Sequence, residues 1–177
     1  RAADRAVAGV VRLIVPVGTP TALRVRAVVT LQQLHPDVAL AVAEADDPLT
    51  ELHRPFDVLL HLGPSPPREG WFSRLVMRLP VQAVAAPAYL AAHGTPARPG
   101  DLAAHRLLTW HAGARFADGW PLADGAVLPV ESSVVSANAE LVTQIAAAGG
   151  GIALVPGLGA FPGVEASGLV AVLPAYI

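Results

Sequence analysis

Cysteine is absent from this 177-residue chain, and so is lysine: all twelve basic residues are arginine. Without thiols, disulfides, thiolate zinc sites and cysteine nucleophiles are excluded. Without lysine there is no Schiff-base amine and no phosphate-loop cation, so several enzyme classes lose their central residue. Long apolar runs are missing as well. Although 53% of the residues are hydrophobic, Arg, His, Pro or Gly interrupts every stretch before the roughly eighteen residues that a membrane-spanning helix requires. The opening Arg1-Ala2-Ala3-Asp4-Arg5 has neither the apolar segment nor the small-residue cleavage site of a secretory signal, which points to a cytoplasmic location. Positive charge is nowhere clustered: the arginines are scattered among 14 acidic residues, for a net charge of −2. Duplex DNA is held by cations that displace counterions from its phosphates, so this chain by itself is not expected to bind nucleic acid.

Catalytic and metal-binding signatures are equally sparse. The six histidines form no His-x-x-x-His pair and keep no regular spacing with carboxylates, so no metal site is expected. Glu44, Asp46 and Asp47 read as a solvated acidic loop. Gly149-Gly150-Gly151 follows a helix and lacks the Lys-Ser/Thr of a phosphate loop, so it reads as a helix exit. There is no Gly-x-Ser-x-Gly elbow, and nothing in the order of Ser, His and Asp singles out a triad. The expectation is a protein that is not an enzyme and needs no cofactor.

What the chain does contain is an alternation of strand and helix signals. Val10 to Val17 is a nearly continuous apolar run, the pattern of a strand buried on both faces. Thr19 as N-cap and Pro20 at the first helical position then open a helix to Leu34, with Leu23, Ala27, Val28, Leu31 and Leu34 on one face. His35-Pro36 stops it. Val38 to Val42 and Val58 to Leu62 read as strands separated by a helical turn at Leu49 to His53, which makes a βαβαβ lobe. A Pro- and Gly-rich loop over 63–70 leads to Leu75 to Leu79 and, past Pro80, to a second group of elements. These are a strand to Ala86, a helix from Pro87 to His93, a turn at Asp101 to His105 and a strand from Leu107 to Trp110. A hairpin-like segment follows through Asp118-Gly119 and Asp124-Gly125, then a strand from Val127 to Val135. The helix Asn138 to Ala148, with Leu141, Val142, Ile145 and Ala146 on one face, and the buried strand Ile152 to Pro156 complete the group. Leu169 to Pro174 reads as the start of a return to the first lobe.

The stretch from Ala86 to Pro96, with Pro99, Asp101-Leu102, His105 and Leu107-Leu108 after it, resembles the effector-binding domain of LysR-type transcriptional regulators. His35-Pro36-Asp37-Val38, Phe56 to Gly63, Ser136-Ala137-Asn138 and Gly149 to Pro156 extend the likeness, in the family's order, along most of the chain. The resemblance implies an α/β, two-lobed fold of the type 2 periplasmic-binding-protein kind, each lobe an open, mostly parallel sheet with flanking helices. Residues 1–9 would end a linker helix, 10–79 together with 166–177 would make lobe I, and 80–165 lobe II. The implied partners are a small-molecule effector and a second copy of the chain, in a homodimer or higher oligomer. In that dimer Leu23, Ala27 and Thr30 on the first helix would face Leu141 and Gln144 on the second-lobe helix of the neighbouring copy. DNA would be contacted only through an N-terminal winged helix-turn-helix domain outside these residues. The strand and helix that in the family complete the first sheet are also outside them, so an open sheet edge prone to pairing with another chain is expected. A solute-binding component of a transporter shares the fold and is the alternative reading.

Ligands of such folds sit outside the carboxyl ends of the strands. Gly18-Thr19-Pro20-Thr21 offers two hydroxyls, backbone N–H groups and the positive end of a helix dipole, and Ser136-Ala137-Asn138 offers the same chemistry from the opposite wall. A carboxylate is the expected guest; helix capping is the competing role for each. His61 stands where the family usually carries Arg, which makes ligand binding pH-sensitive if the ring faces the cleft, the alternative being a histidine satisfied within the lobe. His111 is a further wall candidate, and Pro156 is assigned to the effector site through the resemblance. Trp110, Phe116 and Trp120 either line the pocket or plug a small core, and Tyr89 is expected at the lobe junction.

Overall fold

The computed structural model describes residues 8–63, 70–111, 119–157 and 168–177, which form two main sheets and a small hairpin. In the first sheet, parallel throughout, β1 (Gly9–Pro16) lies between β2 (Val38–Ala45) and the short β3 (Val58–Leu59). Its Val and Ile content suits a pleated, half-buried surface. α1 (Thr21–Leu34) is the crossover that lets β1 and β2 run parallel. A single 3-10 turn at Pro48–Glu51 follows β2, opened by the Asp47 carboxylate accepting from the Leu49 amide at 3.0 Å.

Burial in this sheet is one-ended, contrary to the two-sided burial expected for Val10 to Val17. Ile14 and Val15 are core residues, whereas Val10 is 55% exposed. A parallel sheet is buried on both faces only where helices cover both, and α1 is the one α-helix packed beside it among the described residues. α1 has no fully buried residue: Leu23, Val28 and Leu31 are half-buried, while Ala27 and Leu34 of the expected apolar face are exposed. The helix also begins later than expected, at Thr21, with Pro20 as an extended N-cap and no side-chain cap. Pro20 is itself extended, with ψ 131°, so it takes the cap position rather than the first helical one and Thr19 lies one residue further out; the Thr19 amide closes a turn onto the Pro16 carbonyl at 3.0 Å.

The second sheet has the order β10-β4-β9-β5-β8. It is built from β4 (Val81–Ala85), β5 (Leu107–Trp110), β8 (Val134–Ser136), β9 (Ile152–Pro156) and β10 (Val170–Val172), with β6 (Trp120–Pro121) and β7 (Val127–Leu128) forming the separate hairpin. The strand expected from Val127 to Val135 is thus two short ones, because Pro129 has no N–H to give a ladder. β9 is buried at every position and its side chains alternate between two cores. Ile152 and Leu154 join Ala83, Ala85, Tyr89, Leu102 and Trp120 on one face. Ala153 and Val155 join Leu108, Trp110, Val142 and Ala146 on the other. The first core is roofed by α2 (Pro87–His93), the second by α3 (Ala139–Ala147), whose exit uses Gly149 at φ 80°.

Three expectations are corrected here. Residues 168–177 do not lead back to the first sheet: β10 pairs antiparallel with β4, and Val172 packs with Ala83 and Ala85 in the core roofed by α2. Leu75 to Leu79 form no regular element, and Leu75 and Val76 are 67% and 73% exposed. Trp120 sits in β6 rather than in a loop, and of its two expected roles it takes that of core plug: it is wholly buried, and its Nε1 donates to Thr109 Oγ1 at 2.7 Å. Phe116 lies outside the described residues.

Tyr89 also sits inside the second unit rather than at a junction. Its hydroxyl accepts from the Arg106 amide at 3.0 Å, and its ring is stacked on His93 with centroids 4.3 Å apart while His105 approaches at 5.9 Å. Burial holds the His105 imidazole below the ordinary histidine range, and neighbouring His93 adds to that, outweighing the opposite pull of Asp101. The folded state therefore prefers neutral His105. Its stabilising contribution is complete above the unfolded value of 6.5 and is lost as pH falls through the lower folded value. Thermal melts from pH 8 to 5 are expected to show a falling midpoint at the acid end, with a shallower fall in His105→Gln; an unchanged slope in that variant overturns the assignment.

Candidate functional site

The carboxyl ends of β1 and β3 meet the carboxyl ends of β5 and β8 along one seam between the sheets. At its centre, Gly18 lies against Trp110 and the Ala137 carbonyl: a Cβ at position 18 would overlap that oxygen and lie 2.6 Å from Trp110 Nε1. Trp110, at the end of β5, donates its indole N–H to the same Ala137 carbonyl at 2.9 Å. Leu62, just past β3, packs on the core that contains Trp110. Trp110 is 3% exposed, so it forms the floor of the seam rather than a loop lining.

Two helix N-termini flank this floor. On the second-lobe side, Asn138 caps α3 through its Oδ1, which accepts from the Leu141 amide at 3.1 Å, and the Asn138 amide donates to Ser136 Oγ at 3.1 Å. The His111 amide donates to the Ser136 carbonyl at 3.0 Å, which fixes His111 beside the same turn. On the first-lobe side, Thr21 opens α1. Its hydroxyl donates across the seam to Glu140 Oε2 at 3.0 Å and accepts from Arg24 Nη2 at 3.0 Å. Arg24 is in turn ion-paired with Glu44 on β2. The structure thus brings Thr21 to the α3 N-terminus and sets Ser136, Asn138 and His111 around one turn.

Other expected positions are placed less directly. Thr19 is half-buried in the turn that precedes α1. His61 is half-buried with its Nδ1 enclosed and without a hydrogen-bond partner among the described residues, so that nitrogen is not satisfied within the lobe. Pro156 ends β9 opposite Val81, buried in the sheet. Sequence reasoning missed Gly18 as a close-approach position, and Glu140 and Arg24 as polar groups of the seam. The signal for Glu140 was available in its place in the first turn of the helix that Asn138 was expected to cap. Among the described residues no group of His, Cys, Asp or Glu could hold a metal ion, and no helix is long and apolar enough to cross a membrane.

Two α/β units whose strand ends meet across a seam make up a fold of the type 2 periplasmic-binding-protein kind. Residues 4–176 match the family model of the LysR substrate binding domain, and the chain belongs to that family. It is 29% identical over 181 residues to the uncharacterized HTH-type transcriptional regulator YhjC of Escherichia coli (strain K12), covering 96% of this chain. The chain spans only 58% of that relative's length. Among solved structures it is similar to the regulatory domain of CrgA from Neisseria meningitidis, with a TM-score of 0.79, 20% identity and coverage of 96% of this chain and 83% of that one. The effector domain of AmpR from Pseudomonas aeruginosa gives 0.68 at 20% identity, covering 96% and 81% respectively. These likenesses carry the fold; the family is one of transcriptional regulators, not enzymes, which favours the regulator over the transporter component.

Proposed function

We propose that this domain senses a small anionic effector, most simply a carboxylate, held in the seam between its lobes, and passes the change to a winged helix-turn-helix domain elsewhere in the polypeptide. The observation that carries the charge assignment is the Thr21–Glu140 hydrogen bond: the α1 hydroxyl already receives a carboxylate there, the protein's own. Anions are favoured at helix N-termini by about 0.3–1 kcal/mol each at exposed positions, and the α1 and α3 N-termini flank this seam. Thr19, Thr21, Ser136, Asn138, His61 and His111 would provide the polar wall, with Pro156 at its edge. Ligand shifts the lobes only as far as it prefers one arrangement.

The same reading includes a homodimer, in the cytoplasm, with α1 of one copy against α3 of the other. Ala27, Thr30, Leu141 and Gln144 are exposed as that contact requires, Leu23 being half-buried. Val25 and Val29, one turn apart on α1 and 56% and 45% exposed, extend the apolar surface available to it.

A thermal-shift screen against small carboxylates, aromatic acids and inorganic anions tests the effector assignment. Saturation at a hundredfold excess over Kd is expected to add about 2.7 kcal/mol of stability, and Thr19→Val or Thr21→Val is expected to cut the ligand-induced shift. Asn138→Ala alone costs about 1 kcal/mol through loss of its cap, so it is read by the ligand-induced shift and not by the midpoint. Cooperative melting with no response to any anion overturns the assignment.

A further inference from the structure

Thr21 and Glu140 are 119 residues apart and belong to different sheets' helices, yet their side chains are hydrogen-bonded directly. Neither partner is free to drift. Thr21 is held from behind by Arg24 Nη2 at 3.0 Å, one turn along α1, and Arg24 is fixed by its ion pair to Glu44 on β2. Glu140 lies in the first turn of α3, which the Asn138 cap fixes. The result is a continuous polar chain, Glu140–Thr21–Arg24–Glu44, that ties the second-lobe helix to the first-lobe sheet.

From this geometry we infer that Glu140 and Thr21 form a latch that holds the two lobes closed without any ligand, with Arg24 as the positioning residue that aims Thr21. A hydrogen bond to a charged acceptor is stronger than a neutral one, and this one exists only while the lobes are together, because its partners stand on α1 and α3, helices of different lobes. Gly18 against Ala137 supplies the close approach, and the latch supplies a directional bond beside it. The latch does not depend on the effector's identity. It sets the population of closed domain from which any effector must work.

The absence of cysteine makes the test direct, since labels go only where cysteines are introduced. Gln32→Cys on α1 and Ala103→Cys before β5, both exposed positions, carry a spin-label pair, with the labelled chain diluted into unlabelled chain so that only intramolecular distances are read. The parent is expected to show one dominant short distance. Thr21→Val removes the hydroxyl at constant shape. Glu140→Asp keeps a charge at the α3 N-terminus while withdrawing the carboxylate by one methylene, which separates a latch from a dipole role. Each is expected to raise the population at longer distance about fivefold, the factor for a charge-assisted hydrogen bond discounted for solvent exposure, and the double variant to go no further than either single one. Unchanged distributions in the single variants, additive effects in the double, or a parent already at the long distance each overturn the latch.

Discussion

Gly18→Ala is expected to pry the lobes apart and to abolish ligand-induced stabilisation. The added methyl has nowhere to go: it would overlap the Ala137 carbonyl and press on the Trp110 indole, and neither is the free end of a flexible side chain. Overpacking of this kind costs about 1–3 kcal/mol. The seam is its cheapest relief, since separating the two sheets there gives up the Thr21–Glu140 hydrogen bond but leaves Trp110 Nε1 on Ala137, a bond within the second unit. The three tryptophans allow this to be read residue by residue from their indole N–H resonances. The Trp110 signal is expected to move, while that of Trp120, bonded to Thr109 inside the second unit, stays in place. Unmoved Trp110 with undiminished stability would mean that the close approach at Gly18 does not exist in solution.

Trp120→Ala is expected to have the largest effect on stability. The indole is 0% exposed in the core formed by Ala83, Ala85, Leu102, Ile152 and Leu154. Truncating a buried tryptophan costs about 3–5 kcal/mol, against a total stability of about 5–15 kcal/mol for an ordinary domain. A second loss accompanies the cavity. Thr109 Oγ1, itself 98% buried by residue surface, loses the indole donor and keeps only the Ser132 hydroxyl. Urea unfolding followed by circular dichroism separates the two contributions. Trp120→Phe retains most of the packing and loses the N–H, and is expected to fall by about 1–3 kcal/mol, well short of the alanine variant. Equal losses in both would place the energy in the hydrogen bond; a negligible loss in the alanine variant would remove Trp120 from the core.

Read from the sequence alone, the parts of this protein governed by short-range signals came out close to what the structure shows. Pro87 at the start of α2, Asn138 as the cap of α3, the left-handed exit at Gly149 and the uninterrupted apolar run of β9 each act within a few residues of themselves. The resemblance carried by the segment from Ala86 to Pro96 led to the family for the same reason, since that wording encodes one local element. What depends on another part of the chain did not follow from it. β10 pairs with β4 because Val172 fits beside two alanines some ninety residues earlier, roughly the separation that no periodicity records. Thr19 gave up the cap position because Pro20 is extended, and only the fold decided between the two roles open to Trp120, placing it in the core with its N–H on Thr109. The seam belongs entirely to the tertiary structure. Gly18 matters only because Ala137 comes against it, and Glu140 is an ordinary first-turn carboxylate until folding sets it on Thr21, 119 residues away. Capping and alternation are properties of neighbouring residues, which the sequence by itself determines; approach across a seam is a property of packed surfaces, which only the folded chain decides.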